Sequence, residues 1–324
     1  MRKNLRRICA LTMTALLALG MTGCSDSEVA EGEWEWESSI EIICPWGTGG
    51  GADTTLRQFA AALEEELGVS VVVNNKEGAG GVTGVQFFSE QPADGYTYLL
   101  CTPSPLLAQI SGATDFDVYG TINPLVQVVH DVNVLMADID APYDTYQELV
   151  DYVAANPGVV KAGVMTINGL DAACIQAAFG DTVEAVAYSD GSQLNADVIG
   201  GHVSLACVGP AEVSALVASG DMKCILSFTE EPLTLEGYEG VDYAGDVAPD
   251  ALFGPARGIF YLEGTPEAAL EAFEAAAEKA VASEAFQTWA TTEGLDQRQG
   301  WKDTAEYTAS WDADYEDLTA MFGV

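Results

Sequence analysis

Two glycine-rich segments of the sequence could bind an anion through their backbone. Pro45–Asp53 and Asn74–Gly84 each follow a short apolar run and precede a stretch with helical periodicity. Backbone N–H groups at the start of a helix attract anions, and glycine lets a ligand come close to them. The first segment lacks the Lys-Ser/Thr ending of a nucleotide-binding P-loop, so triphosphate binding is disfavoured. A flexible turn without a ligand is the alternative interpretation.

The second segment has a glycine spacing that resembles a loose dinucleotide fingerprint, formed by Gly78, Gly80 and Gly84. This spacing is weak support for NAD, because any close packing of a strand on a helix can require glycine. The N-terminus also directs the chain across the membrane, where NAD is scarce. We therefore predict no cofactor. We predict no metal either, since no Cys/His cluster has the spacing of metal ligands.

The N-terminus has the pattern of a bacterial lipoprotein signal. Basic residues precede the apolar run Ile8–Leu19, which is too short to span a bilayer, and Met21–Cys24 resembles a lipobox. We predict a signal peptide over 1–23, lipidation of Cys24 and a tether over 24–39. The protein would be lipid-anchored at the extracytoplasmic face of the cytoplasmic membrane. Met21 departs from the usual leucine, and an ordinary thiol after a conventional cleavage site is the alternative.

Composition limits the possible partners. The formal net charge is -38 at pH 7, so nucleic acid and anionic lipid are poor partners. An acidic protein can still bind an anion with local backbone donors, and none of the glycine loops needs an arginine. Apart from Cys9 and Cys24, the cysteines are Cys44, Cys101, Cys174, Cys207 and Cys224. Most of these five lie in apolar strand-like runs, where a cysteine is predicted to be a small buried hydrophobe.

From Ile40 onward, short Val/Ile/Leu runs alternate with helical stretches. This alternation predicts an α/β fold with parallel sheets that are covered on both faces. Two such series and a return segment predict two lobes. The first lobe would comprise 40–130 and 258–324 and the second 139–252, with crossings near 129–138 and 253–262.

The ordered set of motifs resembles the Bug family, the extracytoplasmic solute receptors of tripartite tricarboxylate transporters. Pro45–Asp53, Asn74–Gly84 and Ala93–Thr97 match its Pro-x-x-x-Gly-Gly-Gly-x-Asp, Asn-x-x-Gly-Ala-Gly-Gly and Asp-Gly-Tyr-Thr signatures. Further matches at Gly200–Val203 and Gly264–Glu267 extend the resemblance over nearly the whole mature chain. It implies a two-lobed type II periplasmic-binding-protein fold with a ligand cleft between the lobes, no catalysis, and a small organic carboxylate as ligand.

In such receptors a carboxylate lies against the first two glycine loops and the corner after the third strand, held by backbone donors, small hydroxyls and water. Carried over to this chain, the ligand-binding residues of the first lobe are Trp46, Gly47, Thr48, Gly49, Gly50, Gly51, Asp53, Gly78, Ala79, Gly80, Gly81, Thr102, Pro103 and Ser104. Those of the second lobe are Thr166, Asn168, Gly169 and Tyr188. The implied partners are integral-membrane permease subunits, and the protein itself is expected to be a monomer.

The second lobe departs from the family pattern. Met165–Gly169 replaces a Ser/Gly-rich corner, and Tyr188–Asp190 replaces a common Tyr-Lys-Gly. The lost basic residue and the added carboxylate predict a ligand with an amino or hydroxyl group, or one without a second carboxylate. A sensor that presents its ligand to a signalling receptor is an alternative function. A secreted α/β enzyme is another, although His130 and His202 have no serine or cysteine signature that would complete a catalytic triad.

Overall fold

A computed structural model gives the architecture and describes residues 34–165, 167, 169–188, 191–252, 254–297 and 300–322. The chain divides into two units, one that ends at Trp34 and a compact unit that begins at Glu35. The fold described in the following paragraphs is that of the second unit. The predicted signal peptide and Cys24 lie outside the described residues. Within the described ranges, no helix combines the length and the apolar character that a membrane span requires.

Strands and helices alternate along most of the chain, as predicted. The strands are β1 (Ile40–Cys44), β2 (Val71–Asn75), β3 (Thr97–Cys101), β4 (Asn123–His130), β5 (Val134–Asp138), β6 (Lys161–Val164), β7 (Glu184–Ala187), β8 (Leu205–Val208), β9 (Met222–Ser227), β10 (Asp242–Tyr243) and β11 (Ala256–Tyr261). The α-helices are α1 (Gly51–Leu67), α2 (Val82–Ser89), α3 (Ser104–Ile110), α4 (Tyr146–Ala155), α5 (Leu170–Phe179), α6 (Gly191–Ile199), α7 (Pro210–Ser219), α8 (Ala244–Val247), α9 (Glu267–Ala282), α10 (Glu284–Thr292) and α11 (Thr304–Phe322). The predicted α/β class is confirmed.

The strands form two sheets, with the orders β2-β1-β3-β11-β4 and β10-β9-β5-β8-β6-β7. The expectation of parallel sheets is wrong for one strand in each. Strand β11 is antiparallel to β3 and β4, and β5 is antiparallel to β8 and β9. These two strands are antiparallel because the chain passes from one sheet to the other just before each of them. Strand β4 ends at His130 and β5 begins at Val134 in the other sheet, so β5 starts at the edge where its neighbours end. Strand β11 returns to the first sheet in the same way.

Each sheet is covered by helices that bury apolar side chains. In the first sheet, Tyr307, Trp311 and Leu318 form a buried stripe of α11, and the Trp311 ring centroid lies 4.8 Å from that of Phe260. Complete burial of one such side chain contributes about 2 kcal/mol. The cysteines named above are all free and buried, which confirms their predicted role as small hydrophobes. Trp36, which falls in the predicted tether, is also buried and donates from Nε1 to the Gly95 carbonyl at 2.7 Å.

Candidate ligand-binding site

Helix starts converge at one edge of each sheet. Strands β1, β2 and β3 are parallel and lead into the starts of α1, α2 and α3; β6, β7 and β8 lead in the same way into α5, α6 and α7. Ligands of α/β proteins bind at this edge, where helix dipoles and N–H groups point outward. We call 45–53, 78–81 and 102–104 the first wall. We call 165, 167, 169–171, 188 and 209–212 the second wall.

The loop before α1 is held from below by the buried carboxylate of Asp53. Its oxygens accept hydrogen bonds from the Gly49 backbone N–H at 2.8 Å, from Arg57 at 2.8 and 2.9 Å and from the Asn75 amide at 2.8 Å. The same amide donates to the Trp46 carbonyl at 2.9 Å. Asp53 is 1% exposed, whereas 48–51 are exposed. Asp53, which the resemblance places among the ligand-binding residues, therefore organises the loop that presents Gly49–Gly51 to solvent.

These contacts fix the charge of Asp53. Burial alone would raise its pKa, but the hydrogen bonds from Arg57, Gly49 and Asn75 outweigh burial and lower the pKa to about 2. The carboxylate is thus ionised at neutral pH and neutralised locally by Arg57. Its charge therefore opposes an anion above the loop only weakly.

The second loop of the first wall has a left-handed backbone. Gly78, Ala79, Gly80 and Gly81 have φ values of 137°, 49°, 65° and 97°, and the Gly81 N–H donates to the Gly78 carbonyl at 3.0 Å. A side-chain carbon at Gly84 would lie 2.7 Å from the Pro45 Cα, and one at Gly81 would lie 2.8 Å from the Pro105 Cγ. Gly84, which belongs to the spacing that resembles a dinucleotide fingerprint, therefore lets this loop pack against the first loop, and Gly81 lets it pack against α3.

The third corner completes the first wall. Thr102 is buried and its Oγ1 accepts from the Ser104 N–H at 3.3 Å, while Pro103 is the N-cap residue of α3. Pro103 lines a cavity of ≈ 450 Å³ together with Leu170 of the second wall and residues of α11 that include Ser310. This volume lies in the range of small-molecule sites. A larger hollow of ≈ 1030 Å³, between α7 and 292–294, contains none of the predicted ligand-binding residues.

The second wall is more apolar at its corner. Met165 and Ile167 are 38% and 49% exposed, and Gly169 is the buried N-cap residue of α5. The Tyr188 hydroxyl donates to Asp197 Oδ2 at 3.0 Å. The predicted ligand-binding residues Thr166 and Asn168 lie outside the described residues, as do Ser189 and Asp190.

Glu212 is the carboxylate in the first turn of α7, where it accepts from the Gly209 N–H at 3.1 Å. Desolvation raises the pKa of Glu212. The Gly209 N–H and the charge of Arg257 lower this pKa, the charges of Asp131 and Asp171 raise it, and the net shift is upward. Acidic groups therefore crowd the side of the cleft that includes the second wall.

Sequence reasoning missed one basic residue at the first wall, Arg257. Its guanidinium donates from Nη1 to Thr55 Oγ1 at 2.7 Å and from Nη2 to Asp131 Oδ2 at 2.6 Å. A side-chain carbon at Gly51 would lie 2.8 Å from Nη2, so the guanidinium lies directly behind the first loop. No local pattern could reveal this contact, because Arg257 is 202 residues from Thr55 in the sequence. The described residues hold no group of three or more side chains suited to a metal ion.

The family is decided by a match over most of the chain. The profile described as "Tripartite tricarboxylate transporter family receptor" matches residues 55–309. The chain belongs to this receptor family. The resemblance seen in the sequence is thereby confirmed. Receptors of this family are solute-binding proteins outside the cytoplasm and not enzymes, which excludes the enzyme alternative.

Relatives and solved structures agree with this assignment. The receptor is 25% identical to a UPF0065 protein of Bordetella pertussis over 263 residues, 79% of this chain and 80% of that protein. A TctC solute-binding protein from Polaromonas has a TM-score of 0.73 at 22% identity, covering 89% of this chain and 98% of its own. MatC from Rhodopseudomonas palustris, solved with bound malate, has a TM-score of 0.70 at 17% identity, covering 88% and 99%. The predicted two-lobed periplasmic-binding-protein fold is confirmed.

Proposed function

We propose that this receptor captures a small organic carboxylate between its two walls and delivers it to the membrane permease of a tripartite tricarboxylate transporter. The lobes would be 40–130 with 258–324 and 139–252, as predicted from the sequence. A ligand that touches both walls binds the closed form better and shifts the population toward it. MatC, with its bound malate, supports a carboxylate as the ligand.

The observation that carries this proposal is the construction of the first wall. Three helix starts meet there, and exposed Gly49–Gly51 and Ala79–Gly80 present backbone to the cleft. The Asp53–Arg57–Asn75 network holds this backbone in place, so little conformational entropy is lost when an anion binds. The ligand carboxylate would lie against this wall.

The second wall favours a ligand without a second carboxylate. The basic residues of 139–252 are Lys161, His202 and Lys223. Lys161 and Lys223 lie at or near the start of strands that end at the cleft, and His202 follows the end of α6. Lys161 pairs with Glu184 and Lys223 with Asp144. Glu212 and the apolar side chains of Met165 and Ile167 remain, which suit a cationic, hydroxyl-bearing or apolar group.

The test is calorimetry of the purified full-length protein with butyrate, lactate, leucine, malate and citrate. We expect a monocarboxylate or the amino acid to bind at least about tenfold more tightly than citrate, a difference of about 1.4 kcal/mol. Citrate binding as tight as that of the monocarboxylates would contradict the charge argument. Failure of all the carboxylates would contradict the proposed function itself.

Substitution of Gly50 tests the first wall. Gly50 has φ -75° and ψ 167°, and an added side-chain carbon would meet only the Gly47 carbonyl at 3.6 Å. Gly50→Val should therefore fold normally but place two methyl groups above the loop and abolish the thermal shift caused by the carboxylates. Ser70→Val, at an exposed position just before β2 and away from the cleft, is the matched control and should retain the shift. Unchanged stabilisation in Gly50→Val would remove this loop from the site.

Anchoring and delivery need separate experiments. We propose that Cys24 carries the lipid and keeps the receptor beside its permease. Cys24→Ala should move the protein from the membrane fraction to the soluble fraction without changing carboxylate affinity. Uptake of labelled carboxylate by cells that express the permease subunits should require the receptor. Equal uptake without it would favour the alternative of a sensor.

A further inference from the structure

Arg257 lies where its charge can act on the cleft. It lies in β11 with its side chain 11% exposed, and its partner Asp131 lies in the 131–133 connection between the sheets with 15% exposure. One guanidinium thus contacts three parts of the site: the connection between the sheets, the first turn of α1 through Thr55, and the back of the loop at Gly51. A charge with little access to water acts more strongly on its surroundings than a solvated one.

The charges around Arg257 are mostly negative. Asp131 is paired with it directly. The charge of Arg257 lowers the pKa of Glu212 on the second wall, and the charges of Asp131 and Asp171 raise this pKa. Glu77 directly precedes the second loop of the first wall, and its carboxylate would be 2.6 Å from a side-chain carbon at Gly47. Arg57 binds Asp53, and the Lys76 ammonium lies 4.4 Å from the Phe87 ring centroid. Lys302 lines the cavity at Pro103 and donates from Nζ to Ser310 Oγ at 2.7 Å, whereas the Arg257 guanidinium lies behind the loop at Gly51. A carboxylate ligand would enter this acidic surrounding.

We propose that Arg257 is the specificity-determining charge of the cleft, which makes the backbone loop Gly49–Gly51 accept an anion and which Asp131 attenuates. The inference rests on the proposed function and adds a residue to it. Helix starts alone bind anions weakly, and a buried guanidinium beside them raises the local potential. The pair with Asp131 sets how much of that potential reaches the ligand.

The two partners of the pair should have opposite effects on binding. Arg257→Gln should lower the affinity for butyrate or lactate by about tenfold or more, because a charge a few ångströms from the ligand is lost. Asp131→Asn should raise this affinity several-fold, because the guanidinium keeps a hydrogen-bond acceptor but loses its counter-charge. If the pair served only to hold the fold, both variants would weaken binding in proportion to their loss of stability, and this result would overturn the inference.

A second measurement needs no ligand. The titration of Glu212, followed by NMR and assigned by its disappearance in Glu212→Gln, should move to higher pH in Arg257→Gln and to lower pH in Asp131→Asn. An unchanged midpoint in both variants would overturn the assignment of Arg257 to the cleft. If the expected shifts occur while the wild-type protein binds none of the carboxylates, the proposed function fails and the charge of Arg257 in the cleft stands.

Lys161→Gln is the matched control for net charge. It removes one positive charge at the far end of β6, where Lys161 pairs with the exposed Glu184 at 2.7 Å. Both the carboxylate affinity and the Glu212 midpoint should stay at their wild-type values, because exposed charges at this distance are screened. An effect of Lys161→Gln as large as that of Arg257→Gln would attribute the result to net charge and overturn the inference.

Discussion

Asp53 on the first wall and Glu212 on the second hold the same place in their helices but have opposite pKa shifts. Each is the third residue of a helix that starts at the cleft, and each accepts a backbone N–H from the loop before it, from Gly49 and from Gly209. The pKa of Asp53 is lowered to about 2, and that of Glu212 is raised. Helix position therefore does not decide the charge of a first-turn carboxylate.

The neighbours of the two groups explain the difference. Asp53 is surrounded by donors, with two bonds from Arg57 and one from Asn75 in addition to the loop N–H. Glu212 accepts from the Gly209 N–H and is influenced by a more distant cation, Arg257, and by the like charges of Asp131 and Asp171. Under the proposed function, the first wall is the neutralised scaffold that would receive an anion. The carboxylates near the second wall would oppose a second carboxylate of the ligand.

Removal of the Asp53 charge should have the largest effect on this comparison. Asp53→Asn should lower the free energy of unfolding by about 3 kcal/mol. Gly49 and Asn75 donate to different oxygens of Asp53, so the asparagine NH2 group leaves one of these two donors facing another donor, and the substitution also removes the counter-ion of Arg57. Urea unfolding at pH 7 measures this loss. Arg57→Gln is the control and should cost less than Asp53→Asn, because the Asp53 carboxylate keeps its hydrogen bonds from Gly49 and Asn75 and a glutamine at 57 can still donate one. Equal losses in the two variants would contradict the role of Asp53 as the centre of the network.

The sequence shows the loops of the first wall but not the buried hydrogen-bond network beneath them, and the reason is physical. The first wall depends on local features, namely glycines, a helix start and a preceding strand, which the sequence shows directly. The segment Asn74–Gly84 was predicted to follow the apolar run, but strand β2 continues through Asn74 to Asn75, because pairing with Cys44 overrides the weak strand propensity of asparagine. That extension brings the Asn75 amide to Asp53, which is why the buried network was not foreseen.

The local sequence pattern could not predict contacts between distant parts of the chain. The antiparallel direction of β5 and β11 follows from where the chain changes sheet, and the Arg257–Asp131 pair follows from that topology. Periodicity along the sequence reports which side chains are buried but not which strands become neighbours. From the sequence alone, Arg257 would be predicted to be an ordinary arginine of a strand, although its guanidinium lies behind the first wall.

Lowering the pH should reduce the free energy of unfolding through protonation of Asp53, by less than the substitution Asp53→Asn does. The folded-state pKa of about 2 lies below the unfolded value of about 3.9, so Asp53 stabilises the fold fully above pH 4 and this contribution is lost as the pH falls toward 2. The loss should be about 2 kcal/mol. The difference in unfolding free energy between wild type and Asp53→Asn, measured from pH 7 to pH 2, should therefore shrink between pH 4 and pH 2. A difference that stays constant over this range would contradict the lowered pKa.

Neutralising Glu212 should have the smallest effect and the opposite sign. The folded-state pKa of Glu212 is raised, so the folded protein binds more protons than the unfolded chain and loses stability as the pH rises through this pKa. Glu212→Gln keeps an acceptor for the Gly209 N–H and should raise the unfolding free energy at pH 7 by less than about 1 kcal/mol. The gain should vanish toward pH 4.

Glu148 supplies the matched control, because it is also the third residue of its helix and accepts a loop N–H, from Asp144 at 2.8 Å. Helix α4 begins at the end of the sheet away from the cleft, so no crowding of carboxylates from the two walls reaches it. Glu148→Gln should therefore lower stability by about 0.5 kcal/mol through loss of a favourable helix-dipole interaction. If Glu212→Gln lowered stability in the same way, the two first-turn carboxylates would be equivalent, and the repulsion of a second carboxylate by the second wall would lose its physical basis.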